Sequence, residues 1–182
     1  MFKKFMLTAA LALSVTASCY AAKVEPVETS SKIFQDNDYK ISVQLPEGFD
    51  YADETGENVV VAAEDKKGGY YKVVAVDAEP GQGDAATDKK VLHKLKDGIK
   101  DEYRKNGFEI YSEYTIKINP DHYGYFMEGF TESKGSQAKV KNSIIVFFHN
   151  DKKFTVTLDA PYAQKGYLKN FKRFRTSITC KN

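Results

Sequence analysis

Three histidines (His93, His122 and His149) and two cysteines (Cys19 and Cys180) are the side chains of this sequence suited to binding a metal or moving a proton. Metal sites read from sequence place ligands i, i+4 on a helix or pair cysteines a few residues apart. Neither spacing occurs here. His93 falls in a helical pattern, His122 beside a turn and His149 at a strand end. Solvated or capping histidines, and no metal, are therefore expected. Cys180 lies two residues from the C-terminus, where a frayed chain holds a nucleophile poorly. Asp121-His122 is an adjacent acid and imidazole. A hydrolase built on it needs a deep pocket and a further carboxylate within hydrogen-bond reach of His122.

Other chemistries leave fainter traces. Glu47, Asp50, Asp53, Glu54 and Glu57 form an acidic run whose spacing fits no calcium loop, so a solvated loop is expected. Gly81-Gln82-Gly83 precedes a helical pattern, but Asp84 follows and would repel phosphate. There is no Gly-x-Ser-x-Gly motif and no dinucleotide fingerprint. No cofactor is expected.

Aromatic residues are the more unusual signal. Tyr111, Tyr114, Tyr123, Tyr125, Phe126 and Phe130 crowd one short stretch. Alternation puts Tyr123, Tyr125 and Met127 on one strand face, Phe126 and Phe130 on the other. Ile145 and Phe147 likewise oppose Ile144, Val146 and Phe148. Strands apolar on both faces are interior, with cover on both sides or a groove on one. An incompletely covered face would make Tyr111, Tyr114, Tyr123, Tyr125 and Phe147 a surface for a protein partner or a small apolar ligand. Core packing is the competing role for the same residues.

The elements follow from periodicity. Tyr39 to Leu45 alternates as a strand and stops at Pro46-Glu47-Gly48. Val59 to Ala63 and Tyr70 to Asp77 flank a polar hairpin loop. Val91, Leu92, Leu95, Ile99 and Tyr103 then fall at helical spacing, with Thr87 or Asp88 as N-cap and Gly107 past the end. Gly98, inside this helix, is expected to mark close approach to the sheet. Phe108 to Tyr111, Tyr114 to Ile118, Tyr123 to Thr131, Ala138 to His149 and the segment from Phe154 to Leu158 read as strands. A closing helix is expected from Asp159 and Pro161, with Tyr167, Phe171 and Phe174 on an apolar stripe beside Lys165, Lys169, Lys172, Arg173 and Arg175. The expected class is α+β: a mostly antiparallel sheet of about six to seven strands packed with two main helices, in the order strands, helix, strand meander, helix.

At the N-terminus Lys3 and Lys4 precede an apolar run from Phe5 to Val15 and a small-residue end. That is the three-part pattern of a secretory signal over residues 1–21, and the run is well short of the roughly 20 residues a membrane span needs. Cleavage between Ala21 and Ala22 is one reading. Acylation of Cys19, which would tether the chain to a membrane, is the other. Residues 22–32 read as a flexible leader and 33–182 as one domain in the periplasm or outside the cell. Removing Lys3 and Lys4, with no acid in residues 1–21, takes the balance from 27 basic and 25 acidic side chains to 25 of each. A neutral domain has no global field for nucleic acid, and none is expected as a partner. With Cys180 the one thiol left, no internal disulfide can form.

The stretch Ile41-Ser42-Val43-Gln44-Leu45-Pro46-Glu47-Gly48-Phe49 resembles the opening strand of the Mog1/PsbP-like fold, nearest to the exported bacterial DcrB type. The resemblance extends over about residues 33–179. It implies a small non-enzymatic accessory domain and transfers no binding residue, because fold does not set function. The expected role is an exported envelope protein that binds a protein partner or small apolar ligand. A lipid-anchored envelope stress or structural protein, and a hydrolase with an unrecognised site, are the alternatives.

Overall fold

The computed structural model describes residues 32–54, 56–132, 138–162 and 168–181. The segment 1–21 expected as a secretory signal, with Cys19, and the expected leader except Lys32 lie outside the described residues. Among the described residues no helix is long and apolar enough to cross a bilayer.

Five strands come first: β1 (Ile33–Asp36), β2 (Ile41–Gln44), β3 (Asp50–Tyr51), β4 (Val59–Glu64) and β5 (Tyr70–Asp77). A 3₁₀ turn at Gly83–Ala86 leads into α1 (Lys89–Lys105). Then follow β6 (Glu109–Asn119), β7 (His122–Glu132), β8 (Lys139–His149) and β9 (Lys152–Pro161), α2 (Leu168–Phe174) and β10 (Ile178–Cys180). Seven strands form one antiparallel sheet in the order β3-β4-β5-β9-β8-β7-β6. The other three form a second antiparallel sheet, β1-β2-β10.

Alternation along β7, β8 and β9 decides which side chains meet which layer. Phe126, Ile145, Phe147, Phe154, Val156 and Leu158 point to one face and pack with Ile41, Val43, Phe171, Phe174 and Ile178 of the small sheet and α2. The rings of Phe147 and Phe154 stack at 4.8 Å, with Tyr39 edge-on to Phe154 at 5.6 Å. Tyr125, Met127, Ile144, Val146 and Phe148 point to the other face, against Leu92, Ile99 and Tyr103 of α1. The large sheet is thus the middle layer, apolar on both sides because both are covered.

Local chemistry explains the boundaries of α1. The Asp88 carboxylate accepts a hydrogen bond from the Lys90 amide at 2.7 Å, satisfying an otherwise orphaned N–H. Gly107 takes φ +82° just past the end, a left-handed conformation that glycine adopts without steric cost.

The structure corrects several expectations. Among the described residues one helix is long, α1, and α2 is described over seven residues, Leu168–Phe174, so a second main helix is not found there. Strand β9 runs to Pro161, so no helix opens at Asp159. Strand pairing there overrides the helix-start signal, because Asp159 lies opposite both Tyr70 and Asn142 in the ladders. The last described element is a strand, β10. Strands β1, β3 and β10 were not expected. Each has two to four residues, too few for a period to register. Gly98 is exposed, and a β-carbon there would meet nothing within 4 Å, so it marks no close approach.

Candidate functional site

The five aromatics expected on one surface are divided between three environments. Phe147 is fully enclosed beneath the small sheet. Tyr125 is buried on the opposite face under α1, where its hydroxyl donates to Glu113 Oε2 at 2.5 Å. Glu113 also accepts from Lys100 of α1 at 2.9 Å. Desolvation alone would raise the Glu113 carboxyl, but those two donors hold it below its ordinary value. Tyr123 is half-buried on the α1 face, with the Lys117 ammonium 5.8 Å from its ring centre. Only Tyr111 and Tyr114 remain together at the surface, on the other side of the sheet.

Those two sit on β6, the outermost strand, and a bulge brings them to one face. Their spacing of three would put them on opposite sides of a regular strand. The register shifts between Ile110 and Ser112, and Tyr111 occupies the extra position. Tyr111, 51% exposed, packs on Phe130 at 5.1 Å. Phe130 in turn meets Tyr162, 60% exposed, edge-on at 4.9 Å. Tyr114 packs on Phe126 at 4.8 Å and accepts a hydrogen bond from Arg175 at 2.8 Å. Lys141 lies 4.2 Å from the Phe171 ring centre and 3.7 Å from Glu128. Desolvation, then the Glu128 charge and hydrogen bond, push the Tyr111 hydroxyl up to about 12, so it stays a neutral donor. The result is an aromatic rim with basic side chains lying on it. Phe130 and Tyr162 belong to it although the sequence singled out neither as a surface residue.

A second constellation lies at the end of the sandwich. Two-residue turns, Pro120-Asp121 between β6 and β7 and Asn150-Asp151 between β8 and β9, place His122 first on β7 and His149 last on β8. Asn150 and Asp151 both have positive φ, the backbone that tight hairpins require. Continuing the register Gly124↔Phe147 by two residues sets His122 opposite His149. Their rings hydrogen-bond, His122 Nε2 to His149 Nδ1, at 3.0 Å. Both are buried, at 8% and 5% exposure, which corrects the expectation of solvated histidines. Cys180 is also buried, at 7%, and β10 anchors it opposite Ile41, so it is not frayed. Burial pushes its thiol up to about 12. Ligand atoms of His122, His149 and Cys180 all lie within 4.8 Å of one another. Distant sequence positions thus meet where no motif spacing signalled it.

Asn119 organises this group. Its amide nitrogen donates to the Cys180 carbonyl at 2.9 Å, and its Oδ1 accepts from the Asp121 amide and faces His122 Nδ1, both at 3.1 Å. Among the described residues His122 therefore meets an amide and an imidazole, not the carboxylate a hydrolase on Asp121-His122 would need. A shallow concavity of about 1060 Å³ lies elsewhere, beside the start of α1, lined by Thr87, Asp88, Lys89, Lys90, His93, Lys94 and Tyr123. Of the acidic run, Asp50 pairs with Lys32 at 2.8 Å and Glu54 with Lys72 at 2.6 Å.

No protein-family model and no curated protein matches this chain. Solved structures do. The solution structure of cyanobacterial PsbP (CyanoP) from Synechocystis is 14% identical with a TM-score of 0.54, over 91% of this chain and 98% of that one. A crystal structure from Bacteroides thetaiotaomicron is 12% identical with a TM-score of 0.51, over 85% of this chain and 50% of that one. The present chain thus spans half the length of that second protein. The Ran-binding protein Mog1p of Saccharomyces cerevisiae is 12% identical with a TM-score of 0.49, over 82% of this chain and 86% of that one. The fold is similar to that of PsbP.

Proposed function

We propose that this chain is an exported, non-enzymatic accessory protein of the cell envelope that docks a protein partner on the aromatic rim of β6, β7 and β9. The observation that carries the reading is the rim itself: Tyr111 and Tyr114 expose large rings on the eleven-residue edge strand, and Tyr162 extends the patch through Phe130. Tyrosine joins a broad apolar ring to a polar tip and is enriched at protein interfaces. Each ring is already braced by a neighbour, Phe130 or Phe126, so little side-chain freedom is lost on binding. Arg175 and Lys141 at the same rim favour an acidic or carboxylate-bearing partner surface. The Leu45-Pro46-Glu47-Gly48-Phe49 stretch supports a kinship with the DcrB type, and residues 1–21 support export, by cleavage before Ala22 or with Cys19 acylated.

Two measurements test this. A photocrosslinking residue at Tyr111 or Tyr162 is expected to give one discrete adduct in cells, while the same residue at Asp101, on the solvent side of α1, gives none. Equal labelling at all three positions, or no adduct from the rim, rejects the site. The mass of the mature N-terminus tests export: Ala22 or an acylated Cys19 is expected, and an intact Met1 chain in the cytosol rejects it.

A further inference from the structure

Independently of the rim, we propose that His122, His149 and Cys180 bind one monovalent copper ion at the end of the sandwich, where the β6–β7 and β8–β9 turns meet β10. Imidazole and thiolate are borderline-to-soft ligands, which select copper and zinc over magnesium and calcium. Two ligand atoms sharing one ion through bonds of about 2 Å sit roughly 3–4 Å apart. The two ring nitrogens are already 3.0 Å apart, and the whole set lies within 4.8 Å.

The hydrogen bonds point the same way. Asn119 Oδ1 is an acceptor, because the Asn119 amide nitrogen is engaged with the Cys180 carbonyl. His122 must then donate from Nδ1, which leaves its Nε2 a bare lone pair. That lone pair accepts from His149 Nδ1, so in the neutral pair His149 Nε2 is a second bare lone pair. It is buried and has no hydrogen-bond partner among the described residues. Buried polar nitrogens are rarely left so. A cation can take the place of the proton shared between His122 Nε2 and His149 Nδ1, that proton staying on His149 at the unoccupied Nε2. Asn119, bonded to the His122 ring and to the Cys180 backbone, serves as the outer-shell residue that orients such ligands.

Charge and ligand number choose the ion. Among the described residues no carboxylate joins the cluster. A thiolate with Cu⁺ is neutral. With Zn²⁺ the same site would bury a net positive charge, which is costly. Three protein donors suffice for Cu⁺, whereas Zn²⁺ would need a water as fourth ligand inside this buried cluster. On binding, the Cys180 thiol releases its proton to solvent and a sulfur–copper bond forms. His149 shifts its remaining proton from Nδ1 to Nε2, both imidazoles bind neutral, and no oxidation state changes.

The test uses the reduced full-length chain under nitrogen, with Cu⁺ supplied as its bicinchoninate complex. One equivalent should transfer to the protein, with a thiolate-to-copper ultraviolet band, one proton released and a raised Tm. Cys19→Ser should bind as the wild type does. Cys180→Ser and His149→Gln should each weaken binding by about 100-fold or more, with far-UV circular dichroism verifying the fold. Should either fail to fold, Asn119→Ala supplies the reading, with an expected loss of roughly 10–100-fold. Copper left on the chelator, undiminished binding by folded Cys180→Ser, or tighter binding of Zn²⁺ than Cu⁺ at these residues would overturn the proposal.

Discussion

Asp159 illustrates how a single side chain can set a pH dependence. Its carboxyl is pushed up to about 6 by desolvation, against the hydrogen bond from Asn142 at 2.7 Å and the Lys72 charge. The folded value lies above the unfolded one of about 4, so the stability linked to its proton is whole below about pH 4 and is lost as pH rises through 6. Asp159→Asn keeps an oxygen to accept from Asn142 and removes the half-buried charge. It should flatten the slope of stability between pH 4 and 7 and add about 1–3 kcal/mol at pH 7.5. Urea unfolding across that range checks this, and an unchanged slope contradicts it. Gly129 makes the opposite point. A β-carbon there would lie 2.3 Å from the Glu109 carbonyl oxygen and 2.7 Å from the Phe108 ring. Backbone cannot yield as a flexible side chain does, so Gly129→Ala should cost about 1–3 kcal/mol or more in the same assay.

At the scale of elements, α1 was legible almost to the residue because cap, apolar spacing and terminal glycine all agree. Two substitutions weigh those signals. Gly98→Ala, at an exposed helical position with open space around it, should stabilise by about 1 kcal/mol. Asp88→Ala removes the cap to Lys90 and should cost about 1 kcal/mol. Thermal melts of both variants should move in opposite directions. Strand β6 shows why legibility fails for the site. Alternation assigns Tyr111 and Tyr114 to opposite faces, and a one-residue bulge reunites them. Bulges leave no reliable mark in a polar, aromatic stretch such as Ile110-Tyr111-Ser112. The His122–His149 contact was more accessible. A hairpin that pairs Glu132 with Lys139 also pairs every residue whose numbers sum alike, which includes these two.

At the scale of the whole molecule, the last described strand ties the two sheets together. β10 flanks β2, buries Ile178 and Cys180 in the larger core and accepts the Asn119 hydrogen bond. Removing residues 177–182 should therefore uncover β2 along one edge and open the core. A buried isoleucine alone contributes about 2–5 kcal/mol, so Tm should fall by roughly 10 °C or more, or the cooperative transition should vanish. A truncated chain melting within a few degrees of the full one would show that the small sheet stands without β10.

Read alone, the sequence specified the strand patterns, the capped helix, antiparallel pairing through short polar loops, and apolar character on both faces of the central strands. Those follow from contacts between residues close along the chain, whose periods are visible in any window of ten. Tertiary structure decided what distance along the chain conceals. It set which face each aromatic finally occupies, made β9 a strand up to Pro161, and assembled Cys180, His149, His122 and Asn119 from separate elements. Such meetings depend on register and on the docking of one layer against another. Within one hairpin the register follows from a single pair, as for His122 and His149, but the docking of β10 and of one layer on another is fixed only when the whole apolar surface finds its cover.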